Sequence, residues 1–498
     1  MALIQITDLT FTYPGSFDPV FEHVSFQLDT DWRLGLTGRN GRGKTTLLRL
    51  LQGQYPHQGT ITAPGGFEYF PYPIPDAALT PLELLECSFP DVPQWRLRRE
   101  LAPLFVTDDA LYRPFSTLSG GEQAKILLAL LFAREGRYLL IDEPTNHLDE
   151  TGRALVSRYL AKKSGFLLVS HDRAFLDGCV DHILSINRGG IEVQKGNFSS
   201  WYENRQRQDA FELAQNAQLK KEIGRLKQAA RQSRAWADKV ENTKIGPHSA
   251  KVTGEADAMG GRAYIGEQSR RMQQRRKNLE RRQNAAIEEK SALLKNIEQA
   301  APLKLHQLPY HTDRLALLRD VSVCYGGAPV CRGVSFCVEQ GDRIALRGAN
   351  GTGKTSLLRL LCGEDVPHTG TVERSSRLRI SYVRQDPSGL RGDLGAYAAR
   401  YGLDESLFKA ILRKLDFARV QFEKDMADFS AGQKKKVLLA RSLCKPSHLL
   451  VWDEPLNYVD VLSRMQIEGL LLEFQPTIVF VEHDRVFCDH VATKAVML

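Results

Sequence analysis

The chain has 498 residues, of which 42% are hydrophobic and 25% are charged, and its formal net charge is +8. A chain of this length is expected to form two or three domains. No apolar run approaches the roughly 18–20 residues of a membrane helix, and the N-terminus lacks a secretory leader pattern, so the composition argues against membrane-embedded and secreted classes and favours a cytoplasmic protein.

The first part of the chain alternates between strand and helix patterns. The runs IQITDLTFTY and FEHVSFQL are strand-like, and the short apolar strand WRLGLTG leads through a glycine-rich turn into the helix TTLLRLLQG, which we expect to end at Gly53. RYLLIDEP and GFLLVSHD are continuous apolar runs, typical of parallel strands that are covered on both faces. The alternation predicts an α/β fold.

The glycine-rich turn has the sequence of a phosphate loop, GRNGRGKT, from Gly38 to Thr45. Such a loop encloses a phosphate because the backbone N–H groups of the turn point at it from a helix N-terminus. We expect Lys44 to bridge the β- and γ-phosphates and Thr45 to bind Mg²⁺ through its hydroxyl. The nucleotide-binding residues predicted here are Gly38, Asn40, Gly41, Gly43, Lys44, Thr45 and Thr46.

Polar side chains end the later strands of this segment. Asp142 is placed to hold the Mg²⁺ shell, and Glu143 to act as the general base that orients and deprotonates the attacking water. His171 could hydrogen-bond the γ-phosphate and the water. Tyr13 could stack on adenine, although a tyrosine there could equally be strand packing. The motif LSGGEQ, which contains Ser119, lies between the loop and these strands.

A basic helical segment follows. Residues 201–300 hold 21 Lys+Arg and 13 Asp+Glu, which accounts for the whole net charge. Residues 199–242 and 268–303 have helical composition, and the glycine-containing stretch 243–267 separates them. We therefore predict an antiparallel helical hairpin with a tip loop, which either probes a polyanionic partner or merely spaces two domains. An apolar stripe on its first helix comprises Leu219, Ile223, Leu226 and Ala230.

After the hairpin the same motifs return in the same order. From Lys44, the steps to Ser119, Asp142 and His171 are 75, 98 and 127 residues, and from Lys354 the matching steps are 76, 99 and 129. Such a register indicates a tandem repeat of one ATPase domain. The predicted domains are therefore a first repeat (1–198), a linker (199–303) and a second repeat (304–498). The nucleotide-binding and hydrolysis residues predicted in the second repeat are Tyr325, Gly348, Asn350, Gly351, Gly353, Lys354, Thr355, Ser356, Gln385, Ser430, Gly432, Asp453, Glu454 and His483.

With LSGGEQ at 118–123 and DEPTNHLD at 142–149, the chain resembles ATP-binding-cassette ATPases, and its duplicate cassettes and charged helical linker resemble the ABC-F family. The resemblance implies that the two cassettes close head to tail around two ATP molecules in a functional monomer. One site would combine the first phosphate loop with Ser430 and Gly432. The other site would combine the second phosphate loop with Ser119, Gly120 and Gly121. The implied Mg²⁺ ligands are Thr45, Asp142, Thr355, Gln385 and Asp453.

The chain departs from the family pattern in several places. Its second signature, FSAGQKKK, has Ala431 where a glycine is usual, and Tyr72 stands where the first cassette would carry the glutamine that Gln385 provides in the second. Glu482 replaces the commoner serine before the second switch histidine. Because both catalytic glutamates are present, we expect two competent but unequal sites.

Within ABC-F the linker enters the ribosomal exit-tRNA site and points toward the peptidyl-transferase centre. The resemblance thus implies a 70S ribosome partner, contacted at 23S rRNA and P-site tRNA. The long tip, without an inserted arm in the first cassette, resembles the subgroup that protects against lincosamides, streptogramins A and pleuromutilins. Basic residues implied to contact RNA phosphates are Arg231, Arg234, Lys239, Lys244, Arg271, Arg275 and Arg276.

Three other functions remain open from the sequence. A housekeeping ribosome factor that relieves stalled ribosomes would carry the same motifs without changing drug tolerance. A transporter energy module would need separate membrane subunits. A DNA-associated ATPase would usually carry a far longer coiled coil or a zinc module between its motifs.

Overall fold

The structure is a computed structural model that describes residues 2–15, 18–146, 148–187, 190–244, 274, 281–282, 305, 307–325 and 328–498. It divides into two compact units, Met1–Trp201 with Ala300–Leu498, and Tyr202–Gln299. The two repeats therefore share one unit, and most of the predicted linker forms the other. The predicted domain boundaries at 198/199 and 303/304 stay predictions.

The first repeat contains strands and helices in alternation, as its sequence pattern indicates. Its strands are β1 (Leu3–Phe11), β2 (Phe21–Asp29), β3 (Arg33–Thr37), β4 (Gln58–Thr62), β5 (Phe67–Phe70), β6 (Tyr138–Asp142), β7 (Phe166–Val169), β8 (His182–Asn187) and β9 (Gly190–Lys195). Its helices are α1 (Lys44–Leu51), α2 (Pro81–Ser88), α3 (Gln94–Leu101), α4 (Gly120–Ala133), α5 (Glu150–Leu160) and α6 (Arg173–Cys179).

The six-stranded sheet of the first repeat has the order β5-β6-β7-β3-β8-β9. Strands β5, β6, β7, β3 and β8 pair in parallel, and β9 is antiparallel to β8. The parallel pairing of β6 and β7 confirms the prediction from their continuous apolar runs, because both strands are buried almost throughout. Their carboxyl ends, where Asp142 and Ser170 follow, consequently meet at one edge.

A small antiparallel sheet, in the order β2-β1-β4, covers one side of this repeat. The core lies between that sheet, the large sheet and α1, with Ile6, Leu36 and Leu47 among its buried residues. Helix α1 ends at Leu51, and Gly53 follows with φ 71°, a left-handed conformation that stops a helix. The core thus holds the glycine-rich turn before α1 in place.

The second repeat reproduces this arrangement with a five-stranded sheet in the order β14-β15-β16-β12-β17 and a three-stranded sheet in the order β11-β10-β13. Its strands are β10 (Arg314–Tyr325), β11 (Ala328–Glu339), β12 (Arg343–Arg347), β13 (His368–Arg374), β14 (Ile380–Val383), β15 (Leu449–Asp453), β16 (Ile478–Val481) and β17 (Lys494–Met497). Its helices are α8 (Lys354–Cys362), α9 (Leu394–Arg400), α10 (Glu405–Lys414), α11 (Ala431–Cys444), α12 (Val461–Phe474) and α13 (Arg485–Val491).

Between the repeats, helix α7 runs from Phe198 to Lys244, which agrees with the predicted first linker helix. On this helix Ile223 is buried and Leu219 half-buried, whereas Lys220 is exposed. The predicted tip 243–267 and second helix 268–303 lie outside the described residues, apart from 243–244, 274 and 281–282. Among the described residues, no helix is long and apolar enough to cross a membrane.

Candidate nucleotide-binding and hydrolysis sites

The two phosphate loops have the same backbone shape. Gly43 and Gly353 precede helices α1 and α8 with φ values of 91° and 83°. A side chain at Gly43 would also be too close to Val20, because a Cβ there would lie 2.6 Å from its Cγ1 atom. Glycine is therefore required here both for the left-handed backbone and for space.

Each loop wraps around its own lysine. Lys44 Nζ donates to the carbonyl oxygens of Gly38 and Arg39 at 2.7 and 3.1 Å. Lys354 Nζ donates to those of Gly348 and Ala349 at 2.8 and 2.7 Å. Burial lowers the pKa of both lysines, and nearby carboxylates oppose that shift. The ammonium groups lie at the centre of each loop, where a phosphate would satisfy their charge.

The strand-end aspartates provide oxygen ligands beside the loops. Thr45 Oγ1 donates to Asp142 Oδ2 at 3.3 Å, and Tyr69 donates to the same oxygen at 2.9 Å. In the second repeat, both carboxylate oxygens of Asp453 are buried and have no close hydrogen-bond partner among the described residues, and the Thr355 hydroxyl acts to lower the pKa of Asp453. Burial raises the pKa of Asp142, and it raises that of Asp453 to about 6. Buried carboxylates with unused oxygens, one next to a threonine hydroxyl, fit a bound divalent cation.

The glutamate after each aspartate lies against the switch histidine. His171 Nε2 is 3.3 Å from Glu143 Oε1, and His483 Nε2 is 3.3 Å from Glu454 Oε1. Both glutamates have positive φ, 51° and 46°, which is rare for a residue with a side chain and turns it sharply out of the strand. The structure thus brings both predicted acid–histidine pairs together in the same geometry.

The two glutamates nevertheless differ in their other partners. Gln385 Nε2 and Asn457 Nδ2 donate to Glu454 Oε2 at 2.9 and 2.6 Å. In the first repeat the place of Gln385 is taken by Tyr72, whose ring packs against Phe89 with centroids 4.9 Å apart. Glu143 Oε1 is buried without a hydrogen bond from any described residue.

These partners change the acidity of the two groups. Burial, together with the charge of Asp142, raises the pKa of Glu143 to about 8. Burial also acts to raise the pKa of Glu454, but hydrogen bonds from His483 and Gln385 bring it below its usual value. Burial lowers the pKa of His171 well below its usual value, and the charges of Lys44 and Arg464 add to this effect. The second glutamate is therefore the one held as a carboxylate.

The predicted adenine-stacking tyrosines occupy matching positions. The Tyr13 hydroxyl is 2.7 Å from Thr46 Oγ1, and the Tyr325 hydroxyl is 3.0 Å from Ser356 Oγ. Each ring is partly exposed, at 38% and 44%. Both tyrosines are therefore anchored to the helix that follows a phosphate loop, with ring surface left free. Their stacking on adenine stays a prediction.

The first phosphate loop contacts the second repeat. Asn40 Nδ2 donates to the carbonyl oxygen of Tyr458 at 2.9 Å. Gly432 lies at the same point, since a Cβ there would be 2.4 Å from that oxygen and 3.1 Å from Asn40 Nδ2. Nearby, Arg173 Nη2 and Glu468 Oε2 form a buried ion pair at 2.5 Å. The structure thus brings the first loop and the second signature glycine together, and the head-to-tail closure around ATP stays a prediction.

Among the described residues, the second phosphate loop and the first signature have fewer direct contacts with each other. Asp149 opposes the lowering of the Lys354 pKa by burial, and Arg485 Nε is 4.0 Å from Glu150 Oε1. The signature serines cap their own helices, Ser119 accepting from the Glu122 N–H and Ser430 from the Gln433 N–H, both at 3.3 Å. The roles predicted across the interface for Ser119, Gly120, Gly121 and Ser430 remain predictions.

Some site residues were not predicted from the sequence. Tyr69, which donates to Asp142, has a counterpart in Tyr382, the third residue of strand β14. Aligning the two repeats would have revealed this duplicated tyrosine. Asn457 lies within the noted DEPLNYVD motif, but its bond to Glu454 depends on how the chain turns after strand β15. No local pattern indicates that turn.

Comparison with known proteins agrees with this geometry. A family model described as "ABC transporter" matches residues 21–68 and 331–457. The chain is similar to "Ribosome protection protein VmlR" of Bacillus subtilis (strain 168), with 26% identity over 99% of this chain and 87% of that protein. It is 28% identical to "Erythromycin resistance ATP-binding protein MsrA" of Staphylococcus epidermidis, over 93% of this chain and 91% of that one.

Among solved structures, the chain is similar to one titled "Crystal structure of the complex of archaeal ribosomal stalk protein aP1 and archaeal ribosome recycling factor aABCE1". The TM-score is 0.61 at 18% identity, covering 98% of this chain and 87% of that one. At this identity the likeness concerns the fold alone.

Proposed function

We propose that this chain is an ATP-binding-cassette ATPase of the ABC-F family that binds the ribosome in an ATP-closed form and protects it against antibiotics. The observation that carries the proposal is the contact of the first phosphate loop with the second signature, at Asn40, Tyr458 and Gly432. This contact supports closure of the two repeats on each other within one chain, which would let both ATPase domains drive the linker.

ATP hydrolysis is assigned to the two acid–histidine pairs. Glu143 and Glu454 would orient and deprotonate water, and His171 and His483 would hold that water and the γ-phosphate. Mg²⁺, when bound, would neutralise charge on the phosphate oxygens. Its proposed protein ligands are Thr45 and Asp142 in one site, and Thr355, Gln385 and Asp453 in the other. The buried, unpartnered oxygens of Asp453 support that assignment.

The proposed partner is the 70S ribosome, reached through the linker. The linker carries the excess positive charge of the chain, and its first helix, Phe198–Lys244, is 47 residues long. At about 1.5 Å per residue such a helix extends on the order of 70 Å, far enough to enter a ribosomal cavity. We propose that the linker contacts 23S rRNA and P-site tRNA, with its tip toward the peptidyl-transferase centre.

Antibiotic protection is the finer part of the proposal. The names of the similar proteins, a ribosome protection protein and an erythromycin resistance protein, support it. The drug classes proposed are lincosamides, streptogramins A and pleuromutilins. A protein of this kind would act in the cytoplasm and would need no membrane subunit.

The first test uses the double variant Glu143→Gln, Glu454→Gln, which should bind ATP and close but not hydrolyse it. We expect this variant to sediment with 70S ribosomes when ATP is present and to stay at the top of the gradient when ATP is absent. Failure to sediment with ATP present would refute the ribosomal partner and favour a transporter or DNA-associated role.

The second test separates drug protection from a housekeeping role. Expression of the wild-type chain in a sensitive strain should raise the inhibitory concentration of the three drug classes without altering growth in drug-free medium. Altered growth with unchanged drug tolerance would identify a housekeeping translation factor instead. The hydrolysis-deficient double variant provides the control for expression level.

A further inference from the structure

Two buried positions around the second catalytic glutamate differ in charge from their counterparts in the first repeat. In the signature helices, Lys435 of α11 corresponds to Ala124 of α4, since each lies five residues after the signature serine. Before the switch histidines, Glu482 corresponds to Ser170. The second repeat thus has a buried cation and a buried anion where the first has two neutral residues.

Lys435 joins the signature helix to the catalytic segments of its own repeat. Its side chain is 0% exposed, and Nζ donates to the carbonyl oxygens of Arg384 and Glu454 at 3.0 and 2.9 Å. Arg384 directly precedes Gln385, whose amide donates to Glu454 Oε2. One ammonium group therefore fixes the backbone of both the catalytic glutamate and the residue before its hydrogen-bond donor.

Glu482 holds the other side of the same segment. Its Oε1 accepts from the Leu456 N–H at 2.7 Å, and its Oε2 accepts from the His483 N–H at 3.0 Å. Leu456 lies two residues after Glu454, and His483 is the switch histidine. In the first repeat, Ser170 accepts from the Asp172 N–H at 3.2 Å, and the methyl group of Ala124 cannot form a hydrogen bond.

We propose that Lys435 and Glu482 are positioning residues for ATP hydrolysis at the second site, and that they make this site the faster of the two. Lys435 holds the carbonyl oxygens of Arg384 and Glu454, and Glu482 holds the N–H groups of Leu456 and His483. The position of Glu454 is thereby set before ATP binds. Such preorganisation raises kcat more than it lowers KM. The inference rests on the hydrolytic roles proposed for Glu143 and Glu454 and is independent of the ribosomal partner.

The test converts the second repeat to the pattern of the first with the paired substitution Lys435→Ala, Glu482→Ser in the full chain. Changing both residues keeps the net charge of the buried region unchanged and avoids leaving Lys435 without the charge of Glu482, which would risk unfolding. A second pair, Lys435→Met with Glu482→Gln, keeps the side-chain volumes and removes only the charges. Each pair is introduced into Glu143→Gln, where only the second site hydrolyses, and into Glu454→Gln, where only the first does.

In the Glu143→Gln background we expect both pairs to lower kcat for ATP hydrolysis by roughly tenfold or more while KM changes by less than about twofold. In the Glu454→Gln background kcat should change by less than about twofold. The matched control is Lys434→Ala, which removes the neighbouring lysine of the same helix. Lys434 donates to the Ala427 carbonyl oxygen, outside the hydrolysis site, so this variant should leave kcat unchanged in both backgrounds.

Equal losses in the two backgrounds would assign Lys435 and Glu482 a purely structural role and overturn the inference, as would no loss in either. If the parent Glu143→Gln protein hydrolyses no ATP, the second site is not hydrolytic, and both its proposed role and this inference fail. The inference is supported if the Glu143→Gln protein hydrolyses ATP and the paired substitutions lower its kcat without lowering that of the Glu454→Gln protein.

Discussion

Glu143 and Glu454 occupy the same position in a duplicated motif, but their surroundings give them different chemistry. Gln385 and Asn457 donate to Glu454, whereas Tyr72 stands where a matching glutamine would serve Glu143. A buried carboxyl with few hydrogen-bond donors favours its protonated form, and one that accepts several hydrogen bonds favours its ionised form. A general base must be ionised to accept a proton from water.

Single substitutions of these glutamates should therefore have unequal effects. Since general-base catalysis contributes roughly 10²–10⁴-fold, Glu454→Gln should remove most of the steady-state ATP hydrolysis, and Glu143→Gln should lower it by less than about twofold. Phosphate release at saturating ATP and Mg²⁺ measures both. Equal losses would show that the two glutamates contribute alike despite their different partners.

The buried ion pair between Lys436 and Asp460 predicts a pH-dependent stability. Lys436 Nζ lies 2.9 Å from Asp460 Oδ2. Burial acts to raise the pKa of Asp460, but the charge of Lys436 brings it well below the usual value. A depressed carboxyl pKa stabilises the fold above the unfolded value, and this contribution is lost as the pH falls below about 4.

Asp460→Asn should consequently destabilise the protein by about 3–5 kcal/mol at pH 7, because it leaves Lys436 buried without its carboxylate. The difference from wild type should shrink as the pH falls below about 4. Thermal unfolding of both proteins across this pH range measures the difference in stability. As a control, Asp149→Asn changes the matching helix cap, where Asp149 accepts from the Gly152 N–H at 2.8 Å, and should cost less than about 1 kcal/mol because asparagine caps a helix about as well as aspartate. A pH-independent difference at Asp460 would contradict the assignment.

At the scale of secondary-structure elements, helix α7 carries several basic side chains. Arg205, which is half-buried, and Arg207, which is exposed, form ion pairs with Asp209 and Glu203, at 3.1 and 3.6 Å. Exposed basic residues further along the helix include Lys220, Lys221, Arg225, Lys227 and Arg231. Cations that bind RNA phosphates release counterions, so each such contact steepens the fall of affinity with salt.

Replacing Lys220, Lys221, Arg225 and Arg231 by glutamine should weaken ATP-dependent ribosome binding by roughly tenfold or more at physiological salt and flatten its dependence on salt concentration. Co-sedimentation of the hydrolysis-deficient chain at several salt concentrations measures both effects. The corresponding change of Arg205 and Arg207 is the control and should have a smaller effect, because their charges are already partly compensated. An unchanged salt dependence would mean that this part of the helix does not contact RNA.

Some secondary-structure elements could be predicted from local sequence patterns, whereas contacts between distant residues could not. The strands that end at Asp142 and Asp453 were predictable because an unbroken apolar run before a carboxylate suits only a buried strand. The stop of α1 before Gly53 was predictable because glycine adopts the left-handed backbone readily. The contact of Asn40 with Tyr458 was not predictable from local pattern, because it joins residues 418 positions apart. The burial of Lys435 was also not predictable, because a run of three lysines usually indicates a solvated face.

At the scale of the whole molecule, Gly432 lies where the two repeats meet. A Cβ at this position would lie 2.4 Å from the Tyr458 carbonyl oxygen of its own repeat and 3.1 Å from Asn40 Nδ2 of the first phosphate loop. Gly432→Ala should therefore displace the Tyr458 carbonyl, which accepts from Asn40, and so weaken the contact between the repeats and hinder closure.

In the hydrolysis-deficient double variant, Gly432→Ala should reduce ATP-dependent ribosome binding by on the order of tenfold, since a productive site tolerates little misplacement. The control on the same helix is Lys434→Ala. Lys434 donates to the Ala427 carbonyl oxygen of its own repeat, so this variant should leave binding unchanged. Full binding by Gly432→Ala would show that closure does not depend on this contact.

The exchange of Ala124 and Ser170 for Lys435 and Glu482 also bears on how the halves of a duplicated gene diverge. Burial lowers the pKa of Lys435, and the charge of Glu482 is the first of those that oppose this shift. Introducing Lys435 before Glu482, or removing Glu482 alone now, would therefore leave the buried ammonium group without that charge, which costs stability. The order of mutation thus matters, and the second repeat returns to the pattern of the first more easily when Lys435 is lost first.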